Sequence, residues 1–304
     1  MTSHLTVLPV PAMGAEDVVV DQRGQVWTGT EDGAIWRLSP DGKQIERVSH
    51  TGGRPLGIEI DPAGDLLVAD ARAGLLRVSA TTGAAEVIRT EAEGIPLKFC
   101  NNAAIAGDGT VYFSDSSRHF GIEQWKDDFV QNTRTGRLFR LTEDGTLTTL
   151  LDGLAFANGV ALSRDEQFVA VAETGARAVR RYWLDGREGP REFLVDDLPG
   201  YPDNIARGSD GRIWITIASP RDPVVEAMQR APLGLRKAVT RIPERLQPKP
   251  QRTVHVQAYD DHGTLVHDVD VDTPDFHMAT GVREHHGRVW LGSLHEPAVA
   301  FVDL

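Results

Sequence analysis

The sequence predicts an all-β fold: a six-bladed β-propeller with a short, partly helical insertion in blade five. Three observations lead there. A strand–turn–strand pattern recurs six times. Each copy is followed by a further alternating apolar segment. The turn residues Gly24, Gly64, Gly109, Glu166, Gly211 and Gly287 lie 40, 45, 57, 45 and 76 positions apart, as four-stranded blades with insertions would place them.

The six copies are EDVVVDQRGQVWTG, LGIEIDPAGDLLVAD, NNAAIAGDGTVYFSD, NGVALSRDEQFVAVAE, DNIARGSDGRIWITI and ATGVREHHGRVWLGS. Asp and Gly suit their turns because both tolerate left-handed backbone angles. The flanks are rich in Val, Ile, Leu and Trp, which fit pleated strands. Third strands follow in GAIWRLSPDG, GLLRVSATTG, GRLFRLTEDG, AVRRYWLDG, VQAYDDHG and AVAFVDL, and fourth strands in EVIRT and TLTTLL. Unit six stops after its third strand, which would leave an open edge. LTVLP near the N-terminus is the expected donor of its outer strand. The alternative architecture, a two-domain β-sandwich assembly, lacks a reason for the six-fold register. Residues 1–304 are therefore expected to form a single domain.

Between WITIASP and TVHVQAYDD lies a long excursion, 221–252. Met228, Leu233, Leu235, Val239 and Ile242 suggest one or two amphipathic helices broken by prolines. It carries eight Lys/Arg against three Asp/Glu, a net +5, on a chain whose total is −12. It reads either as a lid over the channel mouth or as an inert insertion.

With Lys+Arg at 32 and Asp+Glu at 44, the chain is a poor nucleic-acid binder and should be repelled by anionic membranes. No apolar run reaches the ~18 residues of a membrane span. The N-terminus lacks the basic and apolar regions of a signal peptide. The one cysteine, Cys100, excludes an intramolecular disulfide and any Cys cluster, so a reducing cytoplasm is the expected location. GxSxG, GxGxxG and P-loop motifs are absent from the positions their chemistry needs. Nothing in the sequence specifies an oligomeric state.

The register of the repeat points to chemistry. Eight positions before the turn residues stand Glu16, Leu56, Asn101, Asn158, Asp203 and Ala279. One step later stand Asp17, Gly57, Asn102, Gly159, Asn204 and Thr280. Four of the chain's five asparagines fall in these two columns. First strands of propeller blades line the central channel, so equivalent positions converge on the axis. Converging carboxylates and amides suit a hard cation, Ca²⁺ above all, with Mg²⁺ or another divalent ion as alternatives. Zinc lacks its thiolate and histidine ligands here. Taken singly, each polar residue could instead cap a strand or turn.

GAEDVVVDQRGQVWTG, FANGVALSRDEQFVAVAET, RYWLDG, LPGYPDNI and WLGSLHEPAVAFVDL resemble the strictosidine synthase-like branch of the SMP-30/gluconolactonase/paraoxonase superfamily, across essentially the whole chain. The resemblance implies a six-bladed propeller with channel calcium and lactonase, arylesterase or phosphotriesterase activity. It places the calcium ligands on Glu16, Asn101, Asn158, Asp203 and Asn204, as the columns do. Asn102 stands where the family usually has Asp, and Leu56 where paraoxonases have a channel histidine. The catalytic glutamate of strictosidine synthase aligns with Thr280, while Glu284 lies four residues on, near the turn.

The leading expectation is calcium-dependent hydrolysis of a small-molecule lactone or aryl ester. The metal would polarise the carbonyl, and Asp203 is the candidate base, as the resemblance also suggests. Amine–aldehyde condensation and a non-catalytic calcium-binding module are the alternatives. His119, Trp125, Tyr201, His277 and Thr280 are candidate substrate contacts. Phe156 and Phe276 could add an apolar wall, with core packing the alternative for Phe156 and simple exposure for His119.

Overall fold

A computed structural model of the chain describes residues 4–186, 192–242 and 252–304. Six four-stranded antiparallel sheets follow one another along the sequence. Their innermost strands are Val18–Val20, Pro55–Ile60, Cys100–Ile105, Ala157–Leu162, Gly200–Arg207 and Ala279–His285. In blade six the strands Arg288–Ser293 and Ala298–Asp303 follow, and Leu5–Pro9 supplies the outer strand. Its register runs from Leu5 opposite Val302 to Pro9 opposite Ala298. The expected closure by LTVLP is what the backbone shows.

Apolar side chains fill the seams between neighbouring blades. Val18, Val26 and Leu38 of blade one meet Trp290, Val299 and Phe301 of blade six. Trp214 and Val256 of blade five pack with Phe276, Val282 and Leu291. Phe276 is therefore core, not cavity wall. Each such buried side chain contributes about 1.5–3 kcal/mol, so the ring is held mainly by these seams.

Two helical excursions rise from the ring. Blade five carries α2 (Pro223–Arg230) and α3 (Leu233–Val239), as the insertion was expected to do. Its remainder, 243–251, lies outside the described residues. Asp222 starts α2 by accepting from Val224 N at 2.8 Å, and Pro223 occupies the first helical position, where its missing N–H costs nothing. Blade three carries α1 (Trp125–Gln131), which the sequence did not announce. WKDDFVQ is too short for a periodic signal, and Asn132 in left-handed conformation ends it. The helices interlock: Gln229 Nε2 donates to Phe129 O at 2.9 Å, and Arg236 donates to Gln131 O.

Candidate functional site

The two adjacent polar columns exist because the innermost strands are bulged. In blade three, Cys100 pairs with Asp115 and Ala103 with Phe113, so Asn101 and Asn102 together face the single residue Ser114. Similar shifts fall between Ala157 and Val160, Pro202 and Ile205, and Ala279 and Val282. A bulge breaks the strict alternation of faces and re-aims side chains. Consecutive residues such as Asn101 and Asn102, or Asp203 and Asn204, are thereby freed from pointing to opposite sides.

The second column alternates around the ring. Asp17, Asn102 and Asn204 occupy odd blades, and glycines occupy even ones. A Cβ on Gly57 would lie 2.6 Å from Asn102 Cα, one on Gly159 2.0 Å from Ile205 N, and one on Gly281 2.5 Å from Glu16 O. Only glycine lets neighbouring strands approach this closely. Side chains then stitch the seam: Asp17 Oδ2 accepts from Ile58 N at 3.0 Å, and Asn102 Oδ1 from Val160 N at 2.9 Å.

This geometry corrects the register of blade six by one residue. Glu284 pairs with Val289 and Val20 with Val26, so the blade-six turn is one residue shorter than that of blade one. Counting back from Gly287 therefore overshoots. Thr280, not Ala279, shares the column of Glu16, and Gly281, not Thr280, stands beside it. Thr280 is fully buried, and its hydroxyl donates to Glu16 O at 2.9 Å.

Glu16, Asn101, Asn158 and Asp203 meet at one cavity of about 530 Å³. Carboxylates at the ends of second strands hold its approaches. Asp70 accepts from Arg54 N, Asp115 from Phe99 N and Glu173 from Ala155 N, each at 2.8 Å. Phe156 and Met278, each two residues before a column position, adopt left-handed backbone (φ 63° and 51°) and line the cavity. Strain of this kind in bulky residues costs about 1–3 kcal/mol and concentrates at functional sites.

The cavity floor presents several acceptor oxygens that no protein donor reaches. Asn101 Nδ2 donates to Ser116 Oγ at 2.9 Å, and Ser116 in turn donates to Ala157 O at 2.7 Å. Asn158 Nδ2 donates to Thr174 Oγ1 at 3.2 Å. With their amide nitrogens committed, Asn101 Oδ1 and Asn158 Oδ1 have no protein partner, and neither does Asp203 Oδ1. Asn204, buried beside Asp203, has neither amide atom paired. Burial pushes the Glu16 carboxyl up to about 7, against the opposing pull of Arg54. Burial, and then the charge of Glu16, raise Asp203 well above the usual carboxylate range.

Buried oxygens left unpaired cost about 1–3 kcal/mol each, and burial disfavours the negative charge on both carboxyls. A hard divalent cation answers both deficits, so the residues fit one. Among the described residues no three His, Cys, Asp or Glu side chains converge to hold a metal ion. The set here is different in kind, two carboxylates with neutral amide oxygens, which is why a softer ion such as zinc does not fit.

Sequence reasoning missed Arg54. It is buried, donates to Glu16 Oε2 at 3.3 Å and to Gly14 O at 3.0 Å. Its signal was available only as a charged residue two positions before the column in blade two. Of the proposed substrate contacts, Trp125 and Tyr201 line the cavity, as does Phe156. His119 is exposed, with its backbone oxygen accepting from Lys98 Nζ at 3.1 Å. His277 is held by Glu296 beside the ring of His295, and its neighbour Met278 lines the cavity in its place.

Comparison with known proteins adds independent findings. A family model described as strictosidine synthase matches residues 101–187, and one described as strictosidine synthase-like, N-terminal, matches 3–38. Protein STRICTOSIDINE SYNTHASE-LIKE 10 of Arabidopsis thaliana is 32% identical over 96% of this chain and 86% of its own length. An adipocyte plasma membrane-associated protein of Salmo salar is 30% identical over 92% and 73%. Among solved structures, a gluconolactonase from Xanthomonas campestris superposes with a TM-score of 0.71 at 18% identity, covering 99% of this chain and 90% of that one. A calcium-binding regucalcin from Agrobacterium tumefaciens gives 0.66 at 14% identity, covering 97% and 94%. At such identities the structures show a common fold.

Proposed function

Because the chain belongs to the strictosidine synthase-like members of the SMP-30/gluconolactonase propeller superfamily, we propose that it is a calcium-dependent hydrolase of lactones or aryl esters. One observation carries this reading: unpartnered oxygens of Asn101, Asn158 and Asp203 sit with Glu16 at the floor of a largely apolar cavity. The fold shared with a gluconolactonase and with a calcium-binding regucalcin supports it.

Glu16, Asn101, Asn158 and Asp203 would hold the ion, with the Asn204 amide beside them. Bound there, Ca²⁺ supplies Lewis acidity toward a carbonyl oxygen. The chain's own residues do the rest. Asp203 is the one column carboxylate still partly open to solvent, and it accepts the proton of an attacking water. That role would need one Asp203 oxygen left free of the metal. Arg54 holds Glu16 from behind. Phe99 and Phe156, in edge-to-face contact at 5.4 Å, and Trp125 form an apolar wall that keeps bulk water from the ester.

Amine–aldehyde condensation finds no support in the side chains that would serve it. Thr280 is committed to Glu16 O, and Glu284 accepts from Ser209 Oγ at 2.9 Å and Gly287 N at 2.8 Å near the far turn. Among the described residues no helix is long and apolar enough to cross a membrane. A cytoplasmic site of action accords with the single, buried Cys100.

The test is a panel of lactones, aryl esters and phosphotriesters assayed with Ca²⁺ and with chelator. Hydrolysis of a lactone or ester that chelation abolishes while the protein stays folded is the expected result. Activity indifferent to chelation, or none across the panel in the calcium-loaded protein, would refute the proposal, and the latter would leave a non-catalytic calcium-binding propeller.

A further inference from the structure

We infer that the cavity selects esters or lactones bearing an alkyl chain or aromatic ring over polyhydroxylated sugar lactones, and that the selecting surface is the roof where blade three meets blade five. This rests on the hydrolase reading and names its substrate class. The roof comprises Phe129 and Val130 of α1, Val225 and Met228 of α2, and Val239 and Ile242 at and beyond the end of α3. Phe129 stands edge-to-face with Tyr201, ring centroids 4.9 Å apart, which joins the roof to the innermost strand of blade five.

Polar groups on this wall are largely spoken for. The Tyr201 hydroxyl lies 3.3 Å from both Asp222 O and Asp222 N. Asp222 Oδ1 caps α2. Thr174 accepts from Asn158, and Thr240 Oγ1 faces Gln131 Nε2 at 3.4 Å. The charged wall residues Lys126 and Asp127 both lie at the start of α1 and stay partly exposed. Apart from Asp127, Ser219 and Asp222, all partly exposed, the free acceptors of the lining lie on the floor, where a cation would claim them, and the roof residues offer none. A sugar lactone would bring several hydroxyls against side chains with little to offer them, and sites that leave hydroxyls unpaired reject them strongly. An alkyl or aryl group instead removes apolar surface from water on both sides. The volume of about 530 Å³ is that of a pocket for a drug-sized molecule, well beyond a bare lactone ring.

The experiment pairs activity with binding. In the calcium-loaded protein, δ-lactones with ring-attached chains from methyl to octyl are compared with glucono-δ-lactone. Matching δ-lactams, which are not turned over, are titrated calorimetrically. Expected are a rise of about fourfold per methylene in kcat/KM and in lactam association until the roof is filled. A negative heat-capacity change should accompany binding. Met228→Glu and Val225→Asp should flatten both series, whereas Leu235→Glu, exposed on α3 outside the cavity lining, should not. Thermal melts check that the variants fold. Equal turnover of glucono-δ-lactone, or chain-length dependence below about twofold across the series, would overturn the inference. Lactam binding that lengthens with the chain while no lactone is hydrolysed would sink the hydrolase reading and leave the apolar roof standing.

Discussion

Glu16 and Asp203 should stabilise the metal-free protein less as pH rises, against the usual direction of acid denaturation. Glu16 ordinarily titrates near 4.5 and is pushed to about 7 in the fold, by burial first. Its folded pKa exceeds its unfolded one, so its favourable contribution is complete below about 4.5 and is lost as pH climbs through about 7. The shift corresponds to about 3 kcal/mol. Asp203 is raised as well and acts in the same sense. Cation binding must displace these protons. Below neutral pH each displaced proton should therefore remove about 1.4 kcal/mol of calcium-linked stabilisation per pH unit, or about 3 kcal/mol between pH ~7 and ~5. Urea or thermal melts at several pH values, each with Ca²⁺ and with chelator, measure this directly. Exposed carboxylates with lowered pKa, such as Asp41 and Asp144, contribute equally to both arms and cancel in the difference. A calcium-induced gain that is the same at acid and neutral pH, or larger in acid, would show that the ion does not bind at Glu16 and Asp203.

Three further outcomes follow from the geometry. Asp203→Asn should lower kcat for any lactone or ester by at least ~10²-fold while the fold survives, checked by steady-state kinetics and circular dichroism; parent-like kcat would remove Asp203 as the base. Gly159→Ala forces a Cβ to within 2.0 Å of Ile205 N and should destabilise by at least ~3 kcal/mol in chemical unfolding; a near-neutral result would mean that blades four and five do not approach so closely. Deleting Leu5–Pro9 bares the edge of Ala298–Asp303, so a lower melting temperature and concentration-dependent association should appear in melting and light scattering; an unchanged melt would contradict the strand pairing.

The ring, its closing strand and the polar columns were legible because each is written in local pattern: alternation, a turn glycine, a repeat distance. The limits of that legibility are also physical. Counting from the turn worked in five blades and failed in blade six, because one residue fewer joins Glu284 to Val289. Helix α1 was missed because its support is tertiary, from Arg236, Gln229 and Tyr201 of blade five. Arg54 was missed because a buried arginine looks in sequence like an exposed one. His119 was over-read: chemistry-capable side chains in loops carry no mark of which way they face. The bulges that free both column positions from strand alternation leave no signature except the columns themselves.

The pairing of Leu5–Pro9 with Ala298–Asp303 also sets a timetable for synthesis. The first strand leaves the ribosome with its partner nearly 300 residues away. At ~5–20 residues per second it waits on the order of a quarter-minute to a minute. Throughout that interval a short apolar segment has no native place to go, and five blades stand as an unclosed arc with an exposed flank on each end. The strands Arg288–Ser293 and Ala298–Asp303 retire both hazards together, so chaperone demand should be greatest just before they are made.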